Sequence, residues 1–195
     1  MNTKEYFDSM ASKWDEVTKH DSKKIEAILD LIGIRKCSNI MDVGCGTGVL
    51  VSYLNKRVGE NGKIVCVDIS DKMIEIAKNK YRDCTNVSFI NADVNNLNFR
   101  NYFDYIICYS VFPHFEDKKN TLLNLTNMLK KGGYLAIAHS QSRKQINQLH
   151  KSLPHPVNTH ILPNINHLRL LANDKLAVVK SIDDNEKYVV VFKKI

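Results

Sequence analysis

Between residues 39 and 58 the sequence makes one local commitment that limits the whole fold. A short β-run, Asn39-Ile40-Met41-Asp42-Val43, ends in Gly44-Cys45-Gly46-Thr47-Gly48, and a helix-forming stretch follows from about Val49 to Val58. The chain holds only eight glycines in 195 residues, so three within five positions reflect a local demand. A tight strand-to-helix turn needs positive φ, and it needs missing Cβ atoms where backbone approaches a ligand. In an open α/β sheet such a turn lies outside the carboxyl ends of the strands, where ligands bind.

The rest of the chain agrees with that placement. Lys63–Asp68, Val87–Ile90, Phe103–Tyr109 and Tyr134–Ala138 read as further strands, apolar without strict alternation, as in sheets covered on both faces. Helices are expected from the N-cap Ser70 to about Tyr81, and over 117–130, where Lys130-Lys131-Gly132-Gly133 stops the run. Strands parted by helices form βαβ units with right-handed crossovers. Two helical segments precede the first strand. One covers residues 3–13; the other starts at Asp21 or Ser22, carries Ile25, Ile28, Leu29 and Ile32 on one face, and stops at Gly33. At the other end Leu176–Ile182 and Lys187–Phe192 flank a polar turn and read as an antiparallel hairpin. The expected class is α/β: a doubly wound, mostly parallel seven-stranded sheet with a C-terminal antiparallel hairpin. Residues 1–195 read as one domain, with 1–33 a helical cap and 142–172 a lid or pocket wall.

Spacing narrows the ligand. A dinucleotide loop, G-x-G-x-x-G, would put glycine where Val49 stands, and a P-loop would need Lys after Gly48. The pattern is G-x-G-x-G preceded by Asp42, and a carboxylate there disfavours a pyrophosphate. Asp68 ends the second strand, placed to accept hydrogen bonds from ribose hydroxyls, and Asp93 follows the third. Three acids at three strand ends suit a nucleoside with a cationic amino-acid tail.

Composition excludes other classes. With 44% apolar and 25% charged residues the chain is globular, and no apolar stretch nears the ~20 residues that span a bilayer. Met1–Glu5 carry no apolar signal region, so a cytoplasmic location is expected. Five cysteines without a C-x-x-C pair argue for reduced thiols and against a zinc ribbon. The net charge of +7 comes from scattered lysines, a solvated surface in preference to a nucleic-acid footprint.

These motifs resemble the class I S-adenosylmethionine-dependent methyltransferases, in order along residues 37–140. Ile40 to Gly48 is similar to the family's first motif. Val67-Asp68-Ile69-Ser70 resembles its ribose-binding segment, with Met73 near the adenine, and Asn91-Ala92-Asp93-Val94 the segment at the adenine amino group. Leu129 to Gly133 is similar to the turn before the fifth strand. Tyr6-Phe7-Asp8 through Trp14-Asp15 resembles the start of quinone-type and other small-molecule members, where this region covers the cofactor. Ala172-Asn173-Asp174-Lys175 departs from the A-G-F turn found in many members. The resemblance implies a Rossmann-like fold and S-adenosyl-L-methionine as cofactor. It implies a site of Trp14, Asp42, Gly44, Cys45, Gly46, Thr47, Gly48, Asp68, Ile69, Met73, Ala92, Asp93, Val94 and Tyr109.

In-line methyl transfer asks mainly for alignment and dryness, and for a base only if the acceptor loses a proton. His114 and His139, after strands four and five, are the candidates for a base or a pocket wall. His150, His155 and His160 do not match a ligand spacing, so an exposed set is expected, with metal binding the lesser alternative. The acceptor is expected to be a small molecule. Tyr109-Ser110-Val111-Phe112 lacks the N/D-P-P-Y/F segment of base N-methyltransferases. An RNA or protein substrate, or a non-catalytic cofactor-binding module, are the alternatives.

Overall fold

A computed structural model describes residues 1–195. The sheet contains β1 (Asn39–Val43), β2 (Lys63–Asp68), β3 (Val87–Asn91), β4 (Phe103–Tyr109), β5 (Leu129–His139), β6 (Leu176–Asp183) and β7 (Tyr188–Lys194). Their order is β3-β2-β1-β4-β5-β7-β6; β1 to β5 run parallel, and β7 lies antiparallel to both β5 and β6. The winding reverses between β1 and β4, which opens a crevice at their carboxyl ends.

Eight helices accompany the sheet: α1 (Thr3–Met10), α2 (Trp14–Val17), α3 (Ser22–Ile32), α4 (Val51–Val58), α5 (Asp71–Lys80), α6 (Lys118–Met128), α7 (Arg143–Lys151) and α8 (Ile165–Leu171). Neighbouring strand residues serve opposite faces. Met41, Val43, Ile106 and Leu135 pack with Leu122 and Leu125 of α6, whereas Ile40, Ile107 and Ala136 pack with Ile28 of α3 and Leu54 of α4. Two covered faces explain why the strands read as continuous apolar runs. Caps fall where side-chain chemistry puts them: Asp21 accepts from Lys23 N and Lys24 N ahead of α3, and Ser70 accepts from Met73 N ahead of α5.

Several elements differ from the sequence reading. β3, β6 and β7 shift by one or two residues at their ends, and the larger differences have local causes. The residue 3–13 segment splits into α1 and a 3-10 turn, with α2 continuing from Trp14. α4 begins at Val51, because the glycine loop is still turning at Gly48, whose carbonyl accepts from Val51 N. α6 stops at Met128, two residues short of the expected end, and β5 starts at Leu129. Extended backbone lets Leu129 pair with Phe103, while Gly133 packs tightly beside the Asp104 and Phe103 carbonyls. α8, signalled by Asn164 as N-cap, was not expected as a helix. Its Leu168 is fully buried in the core. No helix is long and apolar enough to cross a membrane.

Candidate functional site

The carboxyl edge of the sheet opens into a cavity of about 600 Å³, within the usual range for a small-molecule site. The glycine loop forms its floor at the β1–β4 switch. Gly44 has φ +66°, and a Cβ there would stand 2.2 Å from Val111 Cγ2. Val111 reaches that position because Ser110, at φ +57°, turns the chain sharply after β4. The loop and the segment after β4 are therefore fitted to each other. Gly48 packs in the same way under Tyr81, which directly follows α5.

Asp68 braces the loop from β2. Its Oδ2 accepts from Gly46 N at 2.8 Å and its Oδ1 from Ser70 N at 2.9 Å, which leaves each oxygen one further lone pair beside the cavity. Asp93 accepts from Asn95 N at 2.8 Å and so acts as a cap at the cavity wall. Met73, Ile69, Ala92 and Val94 supply the apolar wall between these two acids, and Trp14 of α2 closes the opposite side.

Most of the sequence-derived residues meet here. Trp14, Gly44, Cys45, Gly46, Asp68, Ile69, Met73, Ala92, Asp93, Val94 and Tyr109 line the cavity, as do His114 and His139. Asp42, Thr47 and Gly48 do not. Thr47 instead donates to Asp15 Oδ1 at 2.6 Å. Asp42 lies beneath the loop, fully buried, with Oδ2 unpartnered. Burial, reinforced by the Asp68 carboxylate, pushes its carboxyl up to about 7.

That shift has a measurable consequence. The native state holds the Asp42 proton up to about pH 7, while the unfolded chain gives it up near the ordinary 3.8. The native state binds more protons across this window, so stability falls as pH rises from about 4 to 7, by up to about 4 kcal/mol. Asp42→Asn should flatten that slope. Denaturant midpoints at pH 5 and pH 7.5 measure it, and an equal drop in both proteins would contradict it.

The acceptor end is built from histidines. His139, at the end of β5, is buried with neither ring nitrogen hydrogen-bonded. Burial and then the His150 imidazole hold it neutral, down to about 3. His114 Nδ1 lies 2.7 Å from His160 Nδ1, and His150 Nδ1 donates to the His160 carbonyl at 2.7 Å. The expectation of an exposed 150/155/160 set is therefore corrected. His150 is buried, His160 is half-buried and paired, and only His155 is exposed, because α7 and the loop after it fold back over the cavity. No group of side chains is arranged to hold a metal ion. Phe7 packs edge-on against His114, with Ile146, Leu149, Leu153 and Val157 completing an apolar wall. Of segment 142–172, Ile146, Leu149, His150, Leu153 and Val157 line the cavity, while Leu162 and Leu168 belong to the core.

His20 was missed by sequence reasoning. Its Nδ1 lies 3.1 Å from the Tyr109 hydroxyl, which also donates to Ser140 Oγ at 3.0 Å. The pairing spans 89 residues, and no local signal points to it. The N-terminal helices are tied down mainly by polar contacts. Lys4 pairs with Asp71 and Asp8, Asp8 accepts from Ser70 Oγ at 2.5 Å, and Asp15 pairs with Lys80.

Comparison with known proteins gives consistent results. Residues 34–189 match a family described as a methyltransferase domain. The ubiquinone/menaquinone biosynthesis C-methyltransferase UbiE of Proteus mirabilis is 32% identical over 177 residues, covering 86% of this chain and 69% of that protein. A malonyl-[acyl-carrier protein] O-methyltransferase of Ilyobacter polytropus is 37% identical over 123 residues, covering 63% of this chain and 45% of that protein. The fold matches a SAM-dependent methyltransferase from Aquifex aeolicus with a TM-score of 0.76 at 22% identity, over 96% and 98% of the two chains. It also matches the N-methyltransferase NodS from Bradyrhizobium japonicum, bound to S-adenosyl-L-homocysteine, with a TM-score of 0.77 at 15% identity, over 100% and 99%.

Proposed function

Because the chain belongs to the class I S-adenosylmethionine-dependent methyltransferases, we propose that it methylates a small, largely apolar molecule of the cytoplasm inside the central cavity. Residues at the loop end fit the cofactor. Asp68 keeps free lone pairs for ribose hydroxyls, Met73, Ile69 and Val94 offer an apolar slot for a base, and Trp14 and Tyr109 flank the space between. Asp42 would act from below the loop, its second oxygen unpartnered. Bound there, S-adenosylmethionine supplies a sulfonium-activated methyl group, so the chain's own task is to align the acceptor and keep water out.

The observation that carries the acceptor reading is His139. A buried imidazole with two unpartnered nitrogens in an apolar wall is a polar handle awaiting a polar group. Phe7, Ile146, Leu149, Leu153 and Val157 would enclose the rest of such an acceptor. The two relatives' names, a quinone C-methyltransferase and a malonyl-thioester O-methyltransferase, are compatible with a cavity of this kind.

The test is transfer of label from S-adenosylmethionine to a small-molecule extract, beside RNA and protein fractions. Label is expected in the small-molecule fraction; label in RNA or protein alone would overturn the reading. His139→Phe should separate folding from function. Removing two unpartnered buried nitrogens should leave stability unchanged or raise it by about 1 kcal/mol, while methylation falls at least tenfold. A variant that keeps the full rate would remove His139 from the acceptor site.

A further inference from the structure

The cavity wall is crossed at one point by two imidazoles. His114 lines the central cavity, where Phe7, His139 and His150 surround it. His160 lines an adjoining outer pocket of about 460 Å³ with His155, Lys118 and Thr159, and Thr3, Phe115 and Glu116 border both spaces. The rings meet at 2.7 Å through their Nδ1 atoms, and neither Nε2 has a hydrogen-bond partner within the chain. At that contact one Nδ1 must carry a hydrogen and the other must be bare. Each ring thus has one nitrogen on the contact and one left for its own side of the wall.

We propose that His114 and His160 form a proton relay through the wall, and that the acceptor is therefore a molecule that loses a proton on methylation, such as a phenol, an enol or an acidic carbon. This inference rests on the methyltransferase reading above. As the new bond to the methyl carbon forms and its bond to sulfur breaks, the acceptor's proton moves to His114 Nε2. The His114 Nδ1 proton passes to His160 Nδ1, and the His160 Nε2 proton leaves into the outer pocket. Both rings end neutral in the opposite tautomer, and the sulfonium's positive charge is balanced by the departed proton. The pair resets after product release, when cavity water takes the Nε2 proton of His114, its Nδ1 recovers the shared one, and His160 Nε2 regains a proton from outside.

The surroundings explain why one histidine would not suffice. His114 is held far below its ordinary value by burial first, and then by His150 of α7, His160, His139 of β5 and Lys118 of α6. His160 is held down to about 4 by burial, then Lys118, His150 and His155. An imidazolium at either position would be strongly disfavoured. A ring that hands on the proton it already holds as it accepts another never bears that charge.

The test uses the full chain saturated with S-adenosylhomocysteine, with ¹⁵N in its histidine rings. At pH 7 long-range ¹H–¹⁵N spectra should show His114 and His160 neutral, with one Nδ1 protonated and the other bare. His160→Asn keeps an acceptor for His114 but cannot pass a proton. It should bind S-adenosylhomocysteine within twofold of wild type, yet methylate the extract about a hundredfold more slowly at neutral pH. Wild type should keep a level rate between pH 6 and 8.5, whereas the variant's rate should climb with pH and recover at least tenfold with added imidazole. A cationic ring at pH 7, two protonated Nδ1 atoms, or an Asn variant with the wild-type rate and pH profile would each overturn the relay. Failure of wild type to label the extract would count against the small-molecule reading instead, and the spectra would still decide the state of the pair.

Discussion

Replacing Gly44 with alanine is expected to lower the thermal midpoint by roughly 5–15 °C. Two costs add. A non-glycine residue at φ +66° is strained by about 1–2 kcal/mol, and a methyl set 2.2 Å from Val111 Cγ2 overpacks the turn by about 1–3 kcal/mol more. Val111→Ala in the same chain should recover only part of the loss. It deletes both γ methyls, but the Val111 Cβ itself lies 2.5 Å from the new atom. Circular-dichroism melts of the single and double variants measure this. A single variant melting within 2 °C of wild type would mean that the turn after β4 yields freely.

Asp68→Ala should weaken S-adenosylhomocysteine binding at least a hundredfold, about 3 kcal/mol. Loss of charge-assisted hydrogen bonds to ribose hydroxyls accounts for most of it, at about 1.5–3 kcal/mol each. The rest comes from the loop, since Gly46 N and Ser70 N lose the oxygens they donate to. Asp68→Asn keeps one acceptor oxygen and should fall between the two proteins. Calorimetric titration distinguishes these cases, and wild-type affinity in the alanine variant would place the ribose elsewhere.

Much of this was legible because its causes are local. β1, β2 and β4 have the bounds read from the sequence, since apolar runs closed by Asp68 or by the glycine loop carry their own punctuation. Asp21 and Ser70 cap helices for the same reason. The start of β5 was not legible, because the pairing of Leu129 with Phe103 overrides a helical pattern and a Gly-Gly signal. Asp42 reads as a lining acid, yet strand alternation buries its side chain under the loop. The histidines are the clearest case. His114, His150 and His160 are spread over 46 residues, and only the return of the chain across α7 makes them one cluster. Spacing along a sequence carries no trace of that return.

The fastening of the N-terminal helices bears on timing. Lys4, Asp71, Asp15 and Lys80 are all well exposed at the joint, and only Tyr6 and Ala11 of this segment are buried in the core. Exposed ion pairs contribute little each, about 0.2–1 kcal/mol, and salt shortens their reach from about 10 Å at 0.1 M to about 3 Å at 1 M. The sheet, held by apolar packing on two faces, has no such sensitivity. Salt therefore loosens one side of the cavity slightly and leaves the other unchanged, so the exchange of ligands with solvent responds to the electrolyte around the protein as well as to their fit inside it.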